Sequence, residues 1–371
     1  MASEVESVRN FEFTLVIDKL LKDSQVREFA DMVARSSRVV LTCHVRPDGD
    51  AIGSTLGLMY VLRSLGKEAK VVTPDQPPRS LAFLPGYDDI VPASRYEDYS
   101  ARLVEKADLL IACDFNVLKR QDAMARLWEK TSAKKVMIDH HEGPEHFTDL
   151  MISYPDMSST CELVFRLLAA MGLYEEMPFE AATCICTGII TDTRNLTVNT
   201  RHLDLYYIMV ALLKKGVPKR LILKETLEIK SADAMRLNAF ALCERLKIYR
   251  EHRAAIVYLT KDDLARFKYE KGDTEGLVNQ ALELRGIIYV AFMREDPGSV
   301  KVSMRSLGSF PVNRVCADLF DGGGHKQAAG GEFHGPIEQA IERLVAHMPD
   351  YDARMQQAAD ELKQEGYILN L

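Results

Sequence analysis

Residues 135–141 read Lys-Val-Met-Ile-Asp-His-His, a short apolar run that ends in an aspartate and two histidines. Three other apolar runs also stop beside side chains that bind metals; they are Arg38–Thr42, Asp108–Cys113 and Cys184–Ile190, followed by His44, Asp114 and Asp192. In an open α/β sheet, ligands bind outside the carboxyl ends of the strands. We therefore predict that all four runs are strands and that their ends converge on one site.

The composition is that of a globular protein with two domains. The chain has 371 residues, of which 47% are hydrophobic and 27% charged, and this length exceeds the usual size of a single core. No apolar stretch reaches the ~20 residues of a membrane helix, and the acidic N-terminus lacks the order of a signal peptide. Seven cysteines, several of them in apolar runs, are typical of buried thiols in a reducing cytoplasm.

The net charge restricts the partners that we expect. It is −7 at neutral pH, and the pI is about 5.8. Proteins that bind long nucleic acids tightly neutralise many phosphates with Lys and Arg, and this chain has no surplus of either. A small anionic substrate, held by local positive groups and metal ions, fits better than a long nucleic acid or a membrane.

Strand and helix patterns alternate along the first half of the chain. An amphipathic helix is predicted from about Phe13 to Arg35, and strands separated by helices follow, which predicts a doubly wound, largely parallel sheet. The pattern is mostly helical over 202–246. Strands return at 254–259, 287–292 and 300–305, with a helix at 274–285, and helices follow the glycine run 322–324. We predict an α/β metal-binding domain over 1–213, a helical connector over 214–240 and a smaller α/β domain over 241–371.

Six side chains form the predicted metal site: His44, Asp48, Asp50, Asp114, His140 and Asp192. One six-coordinate ion would leave no position open for substrate, whereas two ions sharing a carboxylate would use the set better. Carboxylate-rich ligation with some imidazole favours Mn²⁺, with Mg²⁺ or Co²⁺ as alternatives. Two ions about 3.5–4 Å apart suit phosphoester hydrolysis.

Each of these features has an ordinary structural explanation when it is taken alone. An isolated Asp-x-Asp pair commonly caps a helix, and a His-His pair commonly lies on a surface. The coincidence of four such features on a compatible fold favours the metal site. Gly53 and Gly57, four residues apart, are predicted to let the helix after Asp50 lie close against the sheet.

Two motifs carry a resemblance to a known family. Residues 44–54, His-Val-Arg-Pro-Asp-Gly-Asp-Ala-Ile-Gly-Ser, together with Asp139-His140-His141, resemble the opening motifs of the DHH phosphoesterase superfamily. Residues 322–330, Gly-Gly-Gly-His-Lys-Gln-Ala-Ala-Gly, resemble the glycine-rich motif of its C-terminal DHH-associated domain. The length resembles the NrnA type, nano-RNases that degrade very short oligoribonucleotides and often dephosphorylate 3′-phosphoadenosine 5′-phosphate.

The resemblance implies a Mn²⁺-dependent hydrolase with two ions. It implies that one ion is held by His44, Asp48, Asp114 and Asp192, and the other by Asp50, Asp114, His140 and Asp192. Asp114, Asp139, His140 and His141 form the implied catalytic group, with Asp139 as an orienting residue and His141 as a contact to the phosphate or to a metal ligand. Arg194 stands where many relatives have glycine, and it either contacts a substrate phosphate or forms a structural ion pair. A homodimer is compatible with the family.

The second domain is predicted to hold the rest of the substrate. Along 300–305, Ser303 and Arg305 lie on one polar face of a strand, which is otherwise an ordinary solvated face. Gly322, Gly323 and Gly324 would let backbone N–H groups approach an anion beside His325, although three glycines alone more often form a turn. A cleft bounded by two domains would then select substrates by their length.

Several functions remain open on the sequence alone. A phosphoesterase acting on dinucleotides and 3′-phosphoadenosine 5′-phosphate is favoured. A pyrophosphatase or exopolyphosphatase of the same superfamily is the alternative, and the motif at 322–325 argues for a nucleotide instead. A long-strand exonuclease would normally carry an additional nucleic-acid module, and a non-catalytic nucleotide-binding sensor need not keep every hydrolytic group.

Overall fold

The computed structural model describes residues 15–369. The chain divides into two compact units, Met1–Ile229 and Lys230–Leu371. This division falls inside the segment 214–240 that the sequence assigns to a connector. The helix Lys219–Leu223 packs on the core of the first unit, and the helix Ala232–Glu244 packs on a core of the second. The domain limits at 213 and 241 stay predictions.

A six-stranded sheet lies at the centre of the first unit. Its strands are β1 (Arg38–Thr42), β2 (Glu68–Thr73), β3 (Val91–Pro92), β4 (Leu109–Cys113), β5 (Lys134–Asp139) and β6 (Leu150–Ser153). The order is β3-β2-β1-β4-β5-β6, and every neighbouring pair is parallel. The prediction of a doubly wound parallel sheet is confirmed. The chain order reverses between β1 and β4, which is where such sheets bind ligands.

Helices cover this sheet and extend beyond it. They are α1 (Asp23–Arg35), α2 (Gly49–Ser64), α3 (Glu97–Lys106), α4 (Ala125–Lys130), α5 (Thr160–Ala170), α6 (Phe179–Asp192), α7 (Asp204–Lys214) and α8 (Lys219–Leu223), and a π-helix over Lys224–Glu228 follows. Among the described residues the first helix begins at Asp23, so residues 15–22 of the predicted helix are not helical, and its predicted start at Phe13 lies outside the described residues.

The apolar run before Asp192 is a helix, and its prediction as a strand was wrong. Its isoleucine, threonine and cysteine residues are common in strands, but α6 is buried from Ala181 to Ile190 and so shows no amphipathic period. The glycines of α2 contact α6 rather than the sheet. A Cβ at Gly53 would lie 2.5 Å from the Cys184 carbonyl oxygen, and one at Gly57 would lie 2.6 Å from Cγ1 of Ile185.

The second unit is built on a mixed sheet. Its elements are α9 (Ala232–Glu244), β7 (Leu246–Tyr249), β8 (Ala254–Leu259), α10 (Lys261–Arg266), α11 (Leu277–Leu282), β9 (Tyr289–Asp296), β10 (Ser299–Ser306), α12 (Val312–Leu319), β11 (Gly323–His325), β12 (Ala328–Phe333), α13 (Ile337–His347) and α14 (Asp352–Gln364). The order is β11-β12-β10-β9-β8-β7, in which only β8 and β9 pair in parallel. One face packs against α12, α13 and α14, and the other packs against α9 and α11.

Two predictions for this unit were wrong. The glycine run 322–324 is not an open loop followed by helices, because β11 and β12 form a hairpin there. Glycine and alanine are poor strand formers, so local propensity does not predict strands at this position. The predicted helix at 274–285 is the shorter α11, Leu277–Leu282.

All seven cysteines are unpaired, and six are buried, which confirms that the thiols act as small apolar groups. Burial raises the pKa of Cys186 and Cys316 to about 12. Within residues 15–369, no helix combines the length and apolarity needed to cross a bilayer.

Candidate metal centre

Side chains at the ends of three parallel strands lie at one edge of the first sheet. His44 follows the end of β1, Asp114 follows β4 directly, and β5 ends at Asp139 with His140 next. Asp114 has a φ of +66°. Residues other than glycine rarely adopt this conformation, and such strain collects at functional sites. The backbone thus turns sharply where β4 ends, and the Asp114 side chain is 2% exposed.

Asp48 and Asp50 are held by two helix N-termini. An Asp48 carboxylate oxygen accepts hydrogen bonds from the backbone N–H groups of Asp50 and Ala51, both at 3.1 Å, and so caps α2. The Asp50 carboxylate accepts hydrogen bonds from the N–H groups of Thr160 at 2.7 Å and Cys161 at 2.8 Å, in the first turn of α5. The sequence analysis named both aspartates but missed this support for Asp50.

Asp192 reaches the site from the last turn of α6, because α6 packs very closely on α2 and α5. A Cβ at Gly188 would lie 2.8 Å from a carboxylate oxygen of Asp50 and would also overlap the sulfur of Cys161. Glycine therefore lets α6 approach the buried carboxylate. The site is formed by three strand ends, the N-termini of α2 and α5, and the C-terminal end of α6.

The six predicted metal ligands fall into two groups, in each of which one ligand atom per residue lies within 4.8 Å of the others. The groups are His44, Asp48 and Asp114, and Asp50, His140 and Asp192. Asp114 lies between them. One of its oxygens is 3.3 Å from Nε2 of His44, and the other is 3.6 Å from Nε2 of His140. Asp114 can therefore serve both groups, whereas Asp192, which the resemblance implies to be shared, falls in the second group only.

Both histidines present the same nitrogen to the carboxylates. Nδ1 of His44 lies 2.8 Å from the carbonyl oxygen of Val45, and Nδ1 of His140 lies 3.2 Å from that of Met157. A carbonyl accepts a hydrogen bond, so Nδ1 carries a proton, and in the neutral ring Nε2 is the nitrogen whose lone pair can bind a metal ion. A backbone carbonyl behind a metal-binding histidine fixes its tautomer in this way.

The charges of the site are unbalanced. Burial and the neighbouring Asp114 raise the pKa of Asp50 to about 8, and burial with Asp50 raises the pKa of Asp192 well above its ordinary value. Burial opposes a charged imidazole, but Asp114 and Asp48 raise the pKa of His44 to about 9. Burial likewise disfavours the charged form of His140, but the neighbouring carboxylates, Asp192 above all, raise its pKa to about 9. Four aspartates meet no lysine or arginine among the described ion pairs, and divalent cations would supply the missing charge.

Asp139 holds His141 beside this cluster. One oxygen of Asp139 lies 2.8 Å from Nδ1 of His141, and the other accepts the His141 backbone N–H at 2.8 Å. Asp139 is fully buried, and Nδ1 of His141 is 3.7 Å from Asp114. This geometry fits the orienting role that the resemblance implies for Asp139, and it leaves the His141 side chain half-buried at the site.

Two residues that the sequence analysis did not name support Asp114. The hydroxyl of Thr160 donates to a carboxylate oxygen of Asp114 at 3.0 Å, in addition to its backbone contact with Asp50. The Arg120 guanidinium lies 3.5 Å from the Asp114 carbonyl oxygen, and the Arg120 carbonyl accepts the N–H of Val45. The position of Thr160 at the start of a predicted helix was the signal that could have identified it, because helix N-termini bind anionic groups.

The predicted substrate contacts lie at several places. Arg194 is exposed, two residues beyond Asp192, in a left-handed backbone conformation with a φ of +47°. Ser303 and Arg305 alternate with buried residues along β10 and are half-buried in the second unit. This alternation confirms the predicted polar face of the strand.

The glycine run has a packing role that the sequence analysis did not foresee. The Gly322 N–H donates to the carbonyl oxygen of Cys316, and a Cβ at Gly322 would overlap the Gly330 backbone. A Cβ at Gly324 would lie 2.7 Å from the Ala328 carbonyl oxygen. Gly322 and Gly324 therefore allow two chain segments to approach closely, while Gly323 faces open space. His325, which ends β11, is half-buried.

Comparisons with known proteins agree with this architecture. The model of the DHH family, N-terminal domain, matches residues 38–189, and that of the DHHA1 domain matches residues 253–351. The bifunctional oligoribonuclease and PAP phosphatase NrnA of Thermus thermophilus is 30% identical over 89% of this chain and 92% of its own. The NrnA of Bacillus subtilis is 30% identical over 84% of this chain and 93% of its own.

A solved structure has the same fold over nearly the whole chain. It is an exopolyphosphatase-related protein from Bacteroides fragilis, with a TM-score of 0.89 and 38% sequence identity. The match covers 92% of this chain and 100% of that one. Both domains are therefore present in this chain in the same order as in its relatives.

Proposed function

The chain belongs to the DHH family of phosphoesterases, and on that premise we propose that it hydrolyses short oligoribonucleotides, dinucleotides above all, and 3′-phosphoadenosine 5′-phosphate. The observation that supports this most strongly is the pair of donor groups linked by Asp114, with one carboxylate oxygen toward each histidine. Such a pair suits in-line displacement at phosphorus. The names of the 30% identical relatives support the choice of substrates.

The donor set fits two divalent ions, most simply Mn²⁺. His44, Asp48 and Asp114 would hold one ion, and Asp50, His140 and Asp192 would hold the other with Asp114 shared. Carboxylates and imidazoles without thiolates favour Mn²⁺ over softer metals. When bound, the ions supply Lewis acidity and lower the pKa of water in the site.

The protein's own groups position the ligands and the substrate. Asp139 fixes the ring of His141 through Nδ1 and so orients the imidazole at the edge of the site, where we propose that it contacts the substrate phosphate or a metal ligand. Thr160 fixes the distance between Asp114 and Asp50, because its hydroxyl donates to Asp114 and its backbone N–H donates to Asp50. Because these contacts exist before substrate binds, the site needs little reorganisation during the reaction.

We propose that Ser303, Arg305, Arg194 and the segment Gly322–His325 contact the remainder of the substrate. The negative net charge of −7 offers no track for a long strand, which restricts the partner to a short RNA or a mononucleotide. The buried free thiols are compatible with the cytoplasm. A homodimer is part of the same proposal.

The decisive experiment incubates purified protein and Mn²⁺ with a diribonucleotide, a 24-mer RNA, 3′-phosphoadenosine 5′-phosphate, pyrophosphate and polyphosphate. We expect turnover of the diribonucleotide and of 3′-phosphoadenosine 5′-phosphate, with little on the 24-mer or the inorganic substrates. Preferential hydrolysis of pyrophosphate or polyphosphate would overturn the substrate assignment and favour the alternative that the name of the Bacteroides fragilis relative suggests.

Asp114→Asn is the matched control for this panel. It keeps the side-chain volume but removes the charge between the two donor groups, so turnover of every substrate should disappear while the circular dichroism spectrum is unchanged. Nucleotide binding without hydrolysis by the wild-type protein would favour a sensor instead.

A further inference from the structure

A small basic cavity in the second unit is separate from the metal centre. Its volume is about 220 Å³. It is lined by Ser309, Pro311, Arg314, Lys326, Arg354 and Gln357. Three of these six residues are cations, one carries a hydroxyl and one carries an amide, and none is an acid.

Several other cations of the unit form ion pairs, whereas the three cations of the cavity form none within the described part of the chain. Arg245 pairs with Asp263, Arg294 with Asp296 and Lys301 with Glu332. Arg314, Lys326 and Arg354 form no ion pair with any residue between 15 and 369 that the structure describes. Cations held close together in a concave site without a carboxylate partner repel one another, and a bound anion would remove this repulsion.

The cavity wall is held together by backbone contacts. The Val312 N–H, at the start of α12, donates to the Lys326 carbonyl oxygen at 2.9 Å. The Ser306 N–H donates to the Gln327 carbonyl oxygen at 3.1 Å. The turn between β11 and β12 is thereby fixed against the segment that carries Ser309 and Arg314, so the cations on both are held near one another.

One carboxylate lies at the rim. Glu361 on α14 accepts a hydrogen bond from Nε2 of Gln357 at 2.9 Å. The Ser309 hydroxyl and Gln357, with Lys326 nearby, lower the pKa of Glu361. Glu361 therefore orients the polar groups of the cavity. Three cations against one carboxylate still leave an excess of positive charge.

The cavity also lies on a different face of the sheet from Ser303, one of the predicted substrate contacts. Ser303 pairs with Phe292 across the antiparallel strands, so both side chains face the side of α9 and α11. Met304 faces the opposite side and packs in the cluster that contains Met355 of α14. Arg354 and Gln357 belong to this second side.

We propose that this cavity is a second, phosphoryl-binding site, which takes an inorganic anion or the terminal phosphate of a nucleotide. Arginine, lysine, hydroxyl and amide groups are the donors that recognise phosphate oxygens. A volume of about 220 Å³ is smaller than pockets for drug-sized ligands, so it accommodates one or two phosphoryl groups with at most a sugar. Lys326 follows His325 directly, so occupancy would also hold the hairpin that carries His325.

The test measures binding to the full-length protein after metal removal and dialysis, so that it does not depend on hydrolysis or on the metal centre. Phosphate, pyrophosphate and AMP are titrated by isothermal calorimetry at low ionic strength. The double variant Arg314→Gln, Arg354→Gln should bind at least about tenfold more weakly, because each lost charge-assisted hydrogen bond reduces affinity. Both arginines are exposed and unpaired among the described residues, so the variant should fold.

Arg343→Gln, an exposed arginine on α13 outside the cavity, is the matched control and should bind like the wild-type protein. A preference for AMP identifies a nucleotide phosphate as the ligand, and a preference for pyrophosphate identifies a free anion; either supports the site. The proposal is overturned if the wild-type protein binds none of the three, or if the control weakens binding as much as the double variant.

Discussion

Asp50 in the first unit and Asp263 in the second are both buried, with exposed fractions of 1% and 4%, but their surroundings differ. Asp263 accepts two hydrogen bonds of 2.9 Å from the Arg245 guanidinium. Asp50 accepts two backbone N–H groups, has Nε2 of His140 at 3.9 Å and no arginine or lysine partner within residues 15–369, and its burial with the neighbouring Asp114 raises its pKa to about 8. The structural carboxylate is paired with an arginine of the chain, whereas the carboxylates of the site have only histidine partners among the described ion pairs, which is the arrangement expected of a metal site.

The same contrast applies to the cations. Arg245 is committed to one carboxylate, while Arg314, Lys326 and Arg354 line a cavity without an ion-pair partner among the described residues. Unbalanced charge of one sign, held by a rigid backbone, is therefore the feature shared by the two binding sites that we propose. Paired charge indicates a structural role.

In the comparison of these two carboxylates, the largest effect should come from Asp50→Asn. Removing a ligand charge forfeits several kcal/mol of charge stabilisation, which corresponds to a loss of about 10³-fold in kcat. Asp263→Asn, the matched change in the second unit, should leave kcat unchanged. Steady-state kinetics on the preferred substrate measure both, and equal losses in the two variants would contradict the division into site and structural carboxylates.

Metal binding should separate the same two variants by stability. At Mn²⁺ concentrations about 100 times the Kd, binding stabilises the folded protein by about 2.7 kcal/mol, or a rise in Tm of about 5 °C or more. The rise should persist in Asp263→Asn and shrink in Asp50→Asn, because the second donor group loses a charge. Differential scanning fluorimetry with and without Mn²⁺ gives the result. A rise of the same size in both variants would show that the ion binds elsewhere.

Two glycines provide a smaller test. An alanine at Gly188 would press on Asp50 and Cys161, since its Cβ would lie 2.8 Å from the Asp50 carboxylate, and overpacking of this kind costs about 1–3 kcal/mol. Gly323 of the second unit faces open space, so Gly323→Ala should change the free energy of unfolding by less than about 0.5 kcal/mol. Urea unfolding measures both values. A neutral Gly188→Ala would mean that α6 can move away from α2.

The helix α6, which contains Gly188, is an element that the sequence pattern did not predict correctly. The strands that end near His44, Asp114 and His140 were predictable because each is a short apolar run followed at once by polar ligands. The run before Asp192 has the same appearance but forms α6. Its environment is apolar on all sides, so the 3.6-residue period that distinguishes a helix is lost.

Asp192 could be placed in the predicted ligand set in spite of this error, because it follows an apolar run whether that run forms a strand or a helix. The contacts of Thr160 could not be named, since they depend on where α5 begins in space rather than on its own sequence. The hairpin after Asp321 was missed because its glycines and alanines are selected by close backbone approach. Local secondary-structure propensity does not reflect such tertiary contacts.

The smallest effect concerns the pH dependence of the Asp263–Arg245 pair. Burial alone would raise the pKa of Asp263, but the Arg245 side chain and the Thr260 N–H lower it below the ordinary value of 3.8. The folded state therefore binds this proton less readily than the unfolded state. Its contribution is fully present above the unfolded pKa and is lost as pH falls through the lower folded pKa.

Wild type and Asp263→Asn should thus differ in unfolding free energy by a constant amount, about 1–2 kcal/mol for a partly exposed pair, at any pH above about 5. The difference should shrink below about pH 4, as the wild-type carboxylate takes up its proton. Urea unfolding across this range tests the sign. If the difference stayed constant down to pH 3, the effect would come from packing and not from charge. Asp263 would then no longer be a charged structural carboxylate with which Asp50 can be compared.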